Sequence, residues 1–300
     1  MPALRIAVTG ATGFIGSHLV PALRRNGDSV HRIVRSRPDP GDIVWSPRDR
    51  RIDAAALEGM DAVIHLAGEN IAQRWTSATR RRIRESRVAG TSLLASTMAA
   101  LERPPRVMIS ASAVGFYGAD RGDETLDESS APGDDFLADV AVEWEAATEP
   151  AASRGIRVVR TRFGVVLHPE GGMLQRVLPI FRLGLGGRLG DGRQWMSWIA
   201  LDDLIEAVRF ALRTPTIAGG VNVTAPTPVR NEEFTRVLGK VLGRPTMAVV
   251  PAFAIRAVFG EMGDATILAS QRVLPGRLLE AGFQFEQTSL ESALRSELGS

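Results

Sequence analysis

Apolar and polar positions follow two rhythms in the first half of the chain. Short apolar runs at Leu4–Thr9, Ser29–Val34, Asp61–Leu66, Val107–Ser110 and Ile156–Thr161 read as strands of a covered sheet. Between them an apolar residue recurs every three or four positions. Ile15, Leu19 and Leu23 mark a helix over Gly13–Asn26, and similar patterns cover Thr76–Leu101 and Phe136–Ala152. Such alternation predicts a parallel sheet, and right-handed crossovers place helices on both of its faces. The expected fold is α/β: a doubly wound, Rossmann-type parallel sheet with a smaller C-terminal α/β lobe.

The rhythm changes after about Arg162. Glycines crowd the stretch from Gly164 to Gly192. A helix over Leu201–Leu212 and a strand over Gly220–Val223 read as a return to the sheet. Short helices broken by Pro245, Pro251 and Pro275 follow Arg230. We therefore divide the chain into a nucleotide-binding domain, residues 1–165 with 201–225 returning to it, and a substrate and C-terminal lobe, residues 166–300. No apolar run reaches the ~18 residues of a membrane span. The chain enters its first strand without a basic leader, so the expectation is a cytoplasmic protein with no membrane partner.

The sharpest local signal is Thr9-Gly10-Ala11-Thr12-Gly13-Phe14-Ile15-Gly16, which follows a strand and opens a helix. Gly10 permits the tight turn, Gly13 lets backbone approach a pyrophosphate, and Gly16 lets helix pack on strand. The helix N-terminus offers N–H groups to the phosphates. After the second strand stand Val34-Arg35-Ser36-Arg37, with no acid to hold a ribose 2′-hydroxyl. Arg35, with Ser36 and Arg37 beside it, suits a 2′-phosphate, which favours NADP over NAD.

Composition adds a constraint on chemistry. The 300 residues carry 36 basic and 34 acidic side chains, and no Cys excludes thiol nucleophiles and thiolate metal sites. Lys240 is the single Lys and Tyr117 the single Tyr. The formal charge of +2 gives no footprint for nucleic acid. Arg74, Arg80, Arg81, Arg82, Arg84 and Arg87 lack the interleaved aromatics of a single-strand binder and read as a solvated helix face. His65, inside an apolar strand, reads as structural. No His, Asp or Glu cluster has metal-ligand spacing, so no metal is expected.

TGATGFIG, DAVIHLAGENI and SASAVGFYG, in that order, resemble the extended short-chain dehydrogenase/reductase superfamily of the NAD(P)-dependent epimerase/dehydratase type. LAGENI, SRVAGT, WEAA, FRLGLGGRLGDGRQWMSWIALDDL, FGEM and SQRVLP resemble its "epimerase family" subgroup of unknown substrate, whose short C-terminal domain is uncharacterised. The resemblance spans nearly the whole chain. It implies that Gly10, Thr12, Gly13, Phe14, Ile15 and Gly16 hold the pyrophosphate and that Arg35 meets the adenosine phosphate. It further implies that Leu66, Ala67 and Gly68 pass over adenine and ribose, that Ser110 to Ser112 lie beside the nicotinamide, and that Arg87 reaches the phosphates. Gln194 and Trp198 fall where the superfamily lines its substrate pocket.

The sequence departs from that pattern at the catalytic dyad. The superfamily places a Tyr, and a Lys four residues later, on the helix after the SxS strand. Here the Tyr position falls at Phe136 or Leu137 and the Lys position at Val140 or Ala141. Ser112 matches the superfamily's catalytic Ser. Tyr117, Glu69, Asp139, His65 or a water are the remaining proton donors. The expectation is an NADP(H)-binding, epimerase-like oxidoreductase, monomer or homodimer, acting on a small polar substrate. The alternative is a non-catalytic NADP(H)-binding sensor or interaction module.

Overall fold

A computed structural model describes residues 2–299. Its main sheet has eight strands: β1 Arg5–Thr9, β2 Ser29–Val34, β3 Ile43–Ser46, β4 Arg51–Ile52, β5 Ala62–His65, β6 Val107–Ala113, β7 Arg157–Phe163 and β8 Gly219–Val223. The spatial order is β8-β7-β6-β5-β1-β2-β3-β4. All neighbours are parallel except β3 and β4. The chain leaves β1 toward β2, β3 and β4, then returns on the opposite flank at β5. The crevice outside the C-terminal ends of β1 and β5 is thus the topological switch point, where ligands of open α/β sheets bind.

Seven helices frame the site: α1 Phe14–Arg25, α2 Ser77–Ala100, α3 Phe136–Ala146, α4 Glu149–Ser153, α5 Gly172–Arg182, α6 Leu201–Arg213 and α7 Asn231–Leu242. The pleat sorts the strand residues between two layers. Ile6, Val8, Ile64, Ile109 and Val159 pack with Leu19 and Leu23 of α1 and Leu204 and Val208 of α6. Ala7, Val63, Met108 and Val158 pack on the other face with Leu94 and Met98 of α2 and Ala151 of α4. Alternate residues of one strand meet opposite helix layers, which is why the strands read as unbroken apolar runs.

Some element boundaries differ from the sequence reading. The helix expected over Phe136–Ala152 is two helices, because Pro150 has no N–H to extend a helix and sits instead in the first turn of α4. β6 continues past Ser110 to Ala113 and carries two buried serines. β3, β4 and a strand at Asp120–Leu126 are additions; the last is polar and exposed along most of its length.

Leu174, Phe181, Trp198, Phe234, Leu238 and Leu294 form a second core beneath α5 and α7. The two halves interleave. α6 and β8 lie with the main sheet, and Ser270–Val273 pairs in parallel with Asp120–Leu126.

Candidate functional site

The crevice floor is built from close backbone contacts. Gly10 has φ +67°, and a Cβ there would lie 2.9 Å from the Leu66 carbonyl carbon. A Cβ on Gly16 would stand 2.1 Å from the Gly10 oxygen, whereas one on Gly13 would stand at 3.2 Å. Thr9 ties β1 to the segment after β5. Its hydroxyl oxygen accepts from the N–H of Leu66 at 3.1 Å and of Ala67 at 3.2 Å. Its own hydrogen therefore points to His65 Nδ1, 2.7 Å away. His65 is fully buried against the Trp45 edge, and burial pushes its pKa down to about 4. A neutral, enclosed imidazole sets the position of Leu66–Gly68, and its one hydrogen lies on Nε2, which is buried without a partner among the described residues.

Above this floor α1 begins at Gly13 with no side-chain cap and no acid in its first turn. Its N-terminal N–H groups, with that of the exposed Thr12, are left for an anion, while the Gly13 N–H closes the turn on the Gly10 carbonyl at 2.9 Å. At the end of β2, Arg32 is engaged by Asp42 and Asp39, whose carboxylates hold its pKa above the ordinary arginine range. Arg35, Ser36 and Arg37 are exposed, and among the described residues Arg35 has no ion-pair partner. The acids of this loop are thus spent on Arg32, and the free charge at the strand end is positive.

Arg87 of α2 closes the other side. Its guanidinium donates to the carbonyls of Glu69 at 3.0 Å and Ile83 at 3.2 Å, and lies 5.1 Å from the Trp144 ring centroid. A Cβ on Gly68 would stand 3.5 Å from it. Burial lowers its pKa to about 10, so it remains a cation at neutral pH. No carboxylate pairs with it among the described residues.

Ser112, at the end of β6, starts a buried polar chain. Its hydroxyl donates to Glu145 Oε1 at 2.8 Å. Arg162 grips both oxygens of Glu145 at 2.8 and 2.9 Å and donates to Tyr117 Oη at 2.9 Å. Tyr117 Oη donates to Asn222 Oδ1 at 2.7 Å, and Asn222 Nδ2 donates to the Leu274 carbonyl at 2.9 Å. Tyr117 is 0 % exposed, and burial, only partly offset by Arg162, raises its phenol pKa. Its hydroxyl thus serves to join Arg162 to Asn222. Sequence reading missed Glu145, Arg162 and Asn222; only the WEAA motif, which contains Glu145, pointed toward them.

The dyad positions on α3 hold no proton donor. Val140 and Ala141 are buried, and Phe136 packs under Arg80 at 4.2 Å and against Trp75. Lys240 sits on the outer face of α7, paired with Glu291 at 2.8 Å. Glu69 accepts from Gln73 at 3.2 Å, and Asp139 is exposed. The two expected substrate contacts are both held by the protein itself. Trp198 is 0 % exposed, with its indole N–H on the Thr227 carbonyl at 2.8 Å, because β-pairing with Val165 turns it into the second core. Gln194 folds back to the Leu189 carbonyl at 3.1 Å. Trp195 takes the more open position, between Arg230 and Arg272 at 4.1 and 4.8 Å.

A switch-point crevice with a glycine-rich turn and an SxS strand end defines a Rossmann-type protein of the short-chain dehydrogenase/reductase kind. The chain belongs to the NAD dependent epimerase/dehydratase family, whose model matches residues 6–223; a domain of unknown function (DUF1731) matches residues 250–297. It is 45% identical over 291 residues to the epimerase family protein Mb2239 of Mycobacterium bovis, covering 96% of each chain. A crystal structure of human epimerase family protein SDR39U1 with NADPH superposes with TM-score 0.91 at 35% identity, covering 99% of this chain and 100% of that one. A nucleoside-diphosphate sugar epimerase from Corynebacterium glutamicum superposes with TM-score 0.83 at 40% identity; this chain spans 59% of its length. No helix among the described residues is long and apolar enough to cross a membrane.

Proposed function

We propose that the chain binds NADP(H) in this crevice and uses it in an epimerase-like oxidoreduction of a small polar substrate. The observation that carries the reading is the close-packed glycine turn facing a strand end whose only uncommitted charges are Arg35 and Arg37. In this reading Gly10, Thr12, Gly13, Phe14, Ile15 and Gly16 take the pyrophosphate, with Arg87 as a buried counter-charge. Arg35 and Ser36 take the 2′-phosphate, and Leu66, Ala67 and Gly68 line the adenosine. Ser110 and Ser112 stand beside the nicotinamide. The NADPH in the human relative supports the same cofactor here.

The cofactor would supply hydride transfer; the chain's residues would position it and handle the proton. Ser112 has its hydrogen committed to Glu145, so it can receive a hydrogen bond but not give one. It therefore suits an O–H or amide N–H donor better than a carbonyl oxygen. Tyr117 is a structural strut in this reading, and the proton passes to water or to Glu69.

The absent dyad favours a second reading, a nucleotide-responsive binding module without catalysis. Fluorescence titration with NADPH and NADH comes first: tight NADPH and weak NADH binding is expected, and binding of neither would end both readings. NADPH and NADP+ are then incubated with a panel that includes nucleoside-diphosphate sugars, the substrate class named for the Corynebacterium relative. Turnover lost in Ser112→Ala and retained in Tyr117→Phe supports the enzyme; no turnover with intact binding supports the module.

A further inference from the structure

We propose that His18, His168 and Glu170 form a binding site for a divalent transition-metal ion, with Zn2+ best suited to the donor set. One ring nitrogen of each His and one Glu170 oxygen lie within 4.8 Å of one another. The two rings meet edge to face at 4.8 Å, and His18 Nε2 stands 3.7 Å from Glu170 Oε2. The residues are distant in sequence and meet because the first turns of α1 pack against the loop entering α5. Phe14 packs against both rings, 5.9 Å from each centroid, and fills the place a Cβ on Gly171 would need.

The tautomers leave a free lone pair on His18 and, on His168, one that an ion would take from the Glu170 N–H. His18 Nδ1 donates to the Phe14 carbonyl at 2.9 Å, so Nε2 is unprotonated and faces Glu170. His168 Nδ1 accepts the Glu170 N–H at 3.2 Å, so its hydrogen is on Nε2, which faces Glu297 Oε2 at 3.8 Å. A carbonyl behind one imidazole and a carboxylate behind the other is the outer-shell arrangement that orients metal-binding histidines. Two imidazoles and a carboxylate leave a fourth position for water. Glu170 is 73% exposed in its side chain and free to close the last ångström. Such an ion would clamp the start of α1 to the loop before α5.

The test uses the full chain without a histidine tag, stripped with chelator and titrated with ZnCl2 by calorimetry. Co2+ replaces Zn2+ in a second titration, read by its visible d–d absorption. One equivalent is expected to bind. His18→Ala and His168→Ala are each expected to weaken it by about tenfold or more. Glu170→Gln, at an exposed position that leaves the fold intact, weakens it as well and moves the Co2+ bands. His31→Ala, a histidine outside the cluster, changes nothing. Absence of a saturable single site overturns the proposal, as does wild-type binding in Glu170→Gln together with an unchanged Co2+ spectrum.

Discussion

One methyl group is the difference between a working and a blocked turn at Gly16. Its Cβ would sit 2.1 Å from the Gly10 oxygen, against 3.2 Å for Gly13. Gly16→Ala is expected to cost about 1–3 kcal/mol in urea denaturation and to weaken NADPH binding; Gly13→Ala costs less stability but weakens NADPH binding as well, since its Cβ would stand where the backbone approaches the pyrophosphate. In the proposed site Arg35 bears on the choice between the two nucleotides rather than on the turn. Arg35→Ala should raise the Kd for NADPH by about tenfold or more and leave NADH unchanged, the loss of one charge-assisted contact. An equal loss for both nucleotides would move the 2′-phosphate off Arg35. Tyr117→Phe removes a hydroxyl that links Arg162 to Asn222 and takes the partner from Arg162 Nη1 and Asn222 Oδ1, while Glu145 and the Leu274 carbonyl keep their bonds. It should cost about 1–3 kcal/mol of stability with NADPH affinity retained. A variant that is fully stable but inactive would return Tyr117 to catalysis.

α3 carries this logic to the scale of an element. It begins at Asp135, whose carboxylate accepts from Leu137 N at 2.9 Å and Ala138 N at 3.0 Å, and from Ala119 N across the loop. The cap thus holds both the helix and the end of the SxS strand's loop. Asp135→Ala is expected to cost about 1–2 kcal/mol and Asp135→Asn much less, read as shifts in the urea midpoint. α3 also shows what was legible in the sequence. Its existence, its place after the SxS strand and its lack of a Tyr and Lys followed from apolar spacing, motif order and a count of two letters. Its end did not, since Pro150 tolerates a new first turn as readily as it breaks an old one. Trp198 looked like a pocket residue from its neighbours in the motif, but β-pairing decided its direction. The network through Glu145, Arg162 and Asn222, and the His18–His168 contact, join residues from 17 to more than a hundred positions apart. No local pattern encodes such meetings; only the closed sheet and the packing of α1 on the second lobe create them.

Across the whole molecule, buried titrating groups pull in opposite directions over the same pH range. His65 has its pKa lowered by burial to about 4 from 6.5. Between those values the unfolded chain holds more protons, so this group lowers stability as pH falls, by up to about 3 kcal/mol. Burial of His168 adds in the same sense. Glu297 has its pKa raised by burial, with help from Asp202 and Asp203, to about 7 from 4.5. The native state then holds the extra proton, and the stability this group contributes at low pH is lost as pH rises from about 4.5 through 7. Half-buried Glu128 and buried Asp203 act with it. The lowered carboxyls of Asp28 and Asp42 titrate below this window and leave it untouched. Wild-type stability should therefore change little between about pH 4.5 and 6.5, because two large slopes offset each other. The variants separate them. Relative to wild type, His65→Asn should tilt the profile so that stability falls with rising pH, and Glu297→Gln should tilt it the other way. Urea midpoints across the window, taken in chelator so that no ion holds His168, measure both tilts. Parallel profiles for all three proteins would show that neither group titrates differently on unfolding.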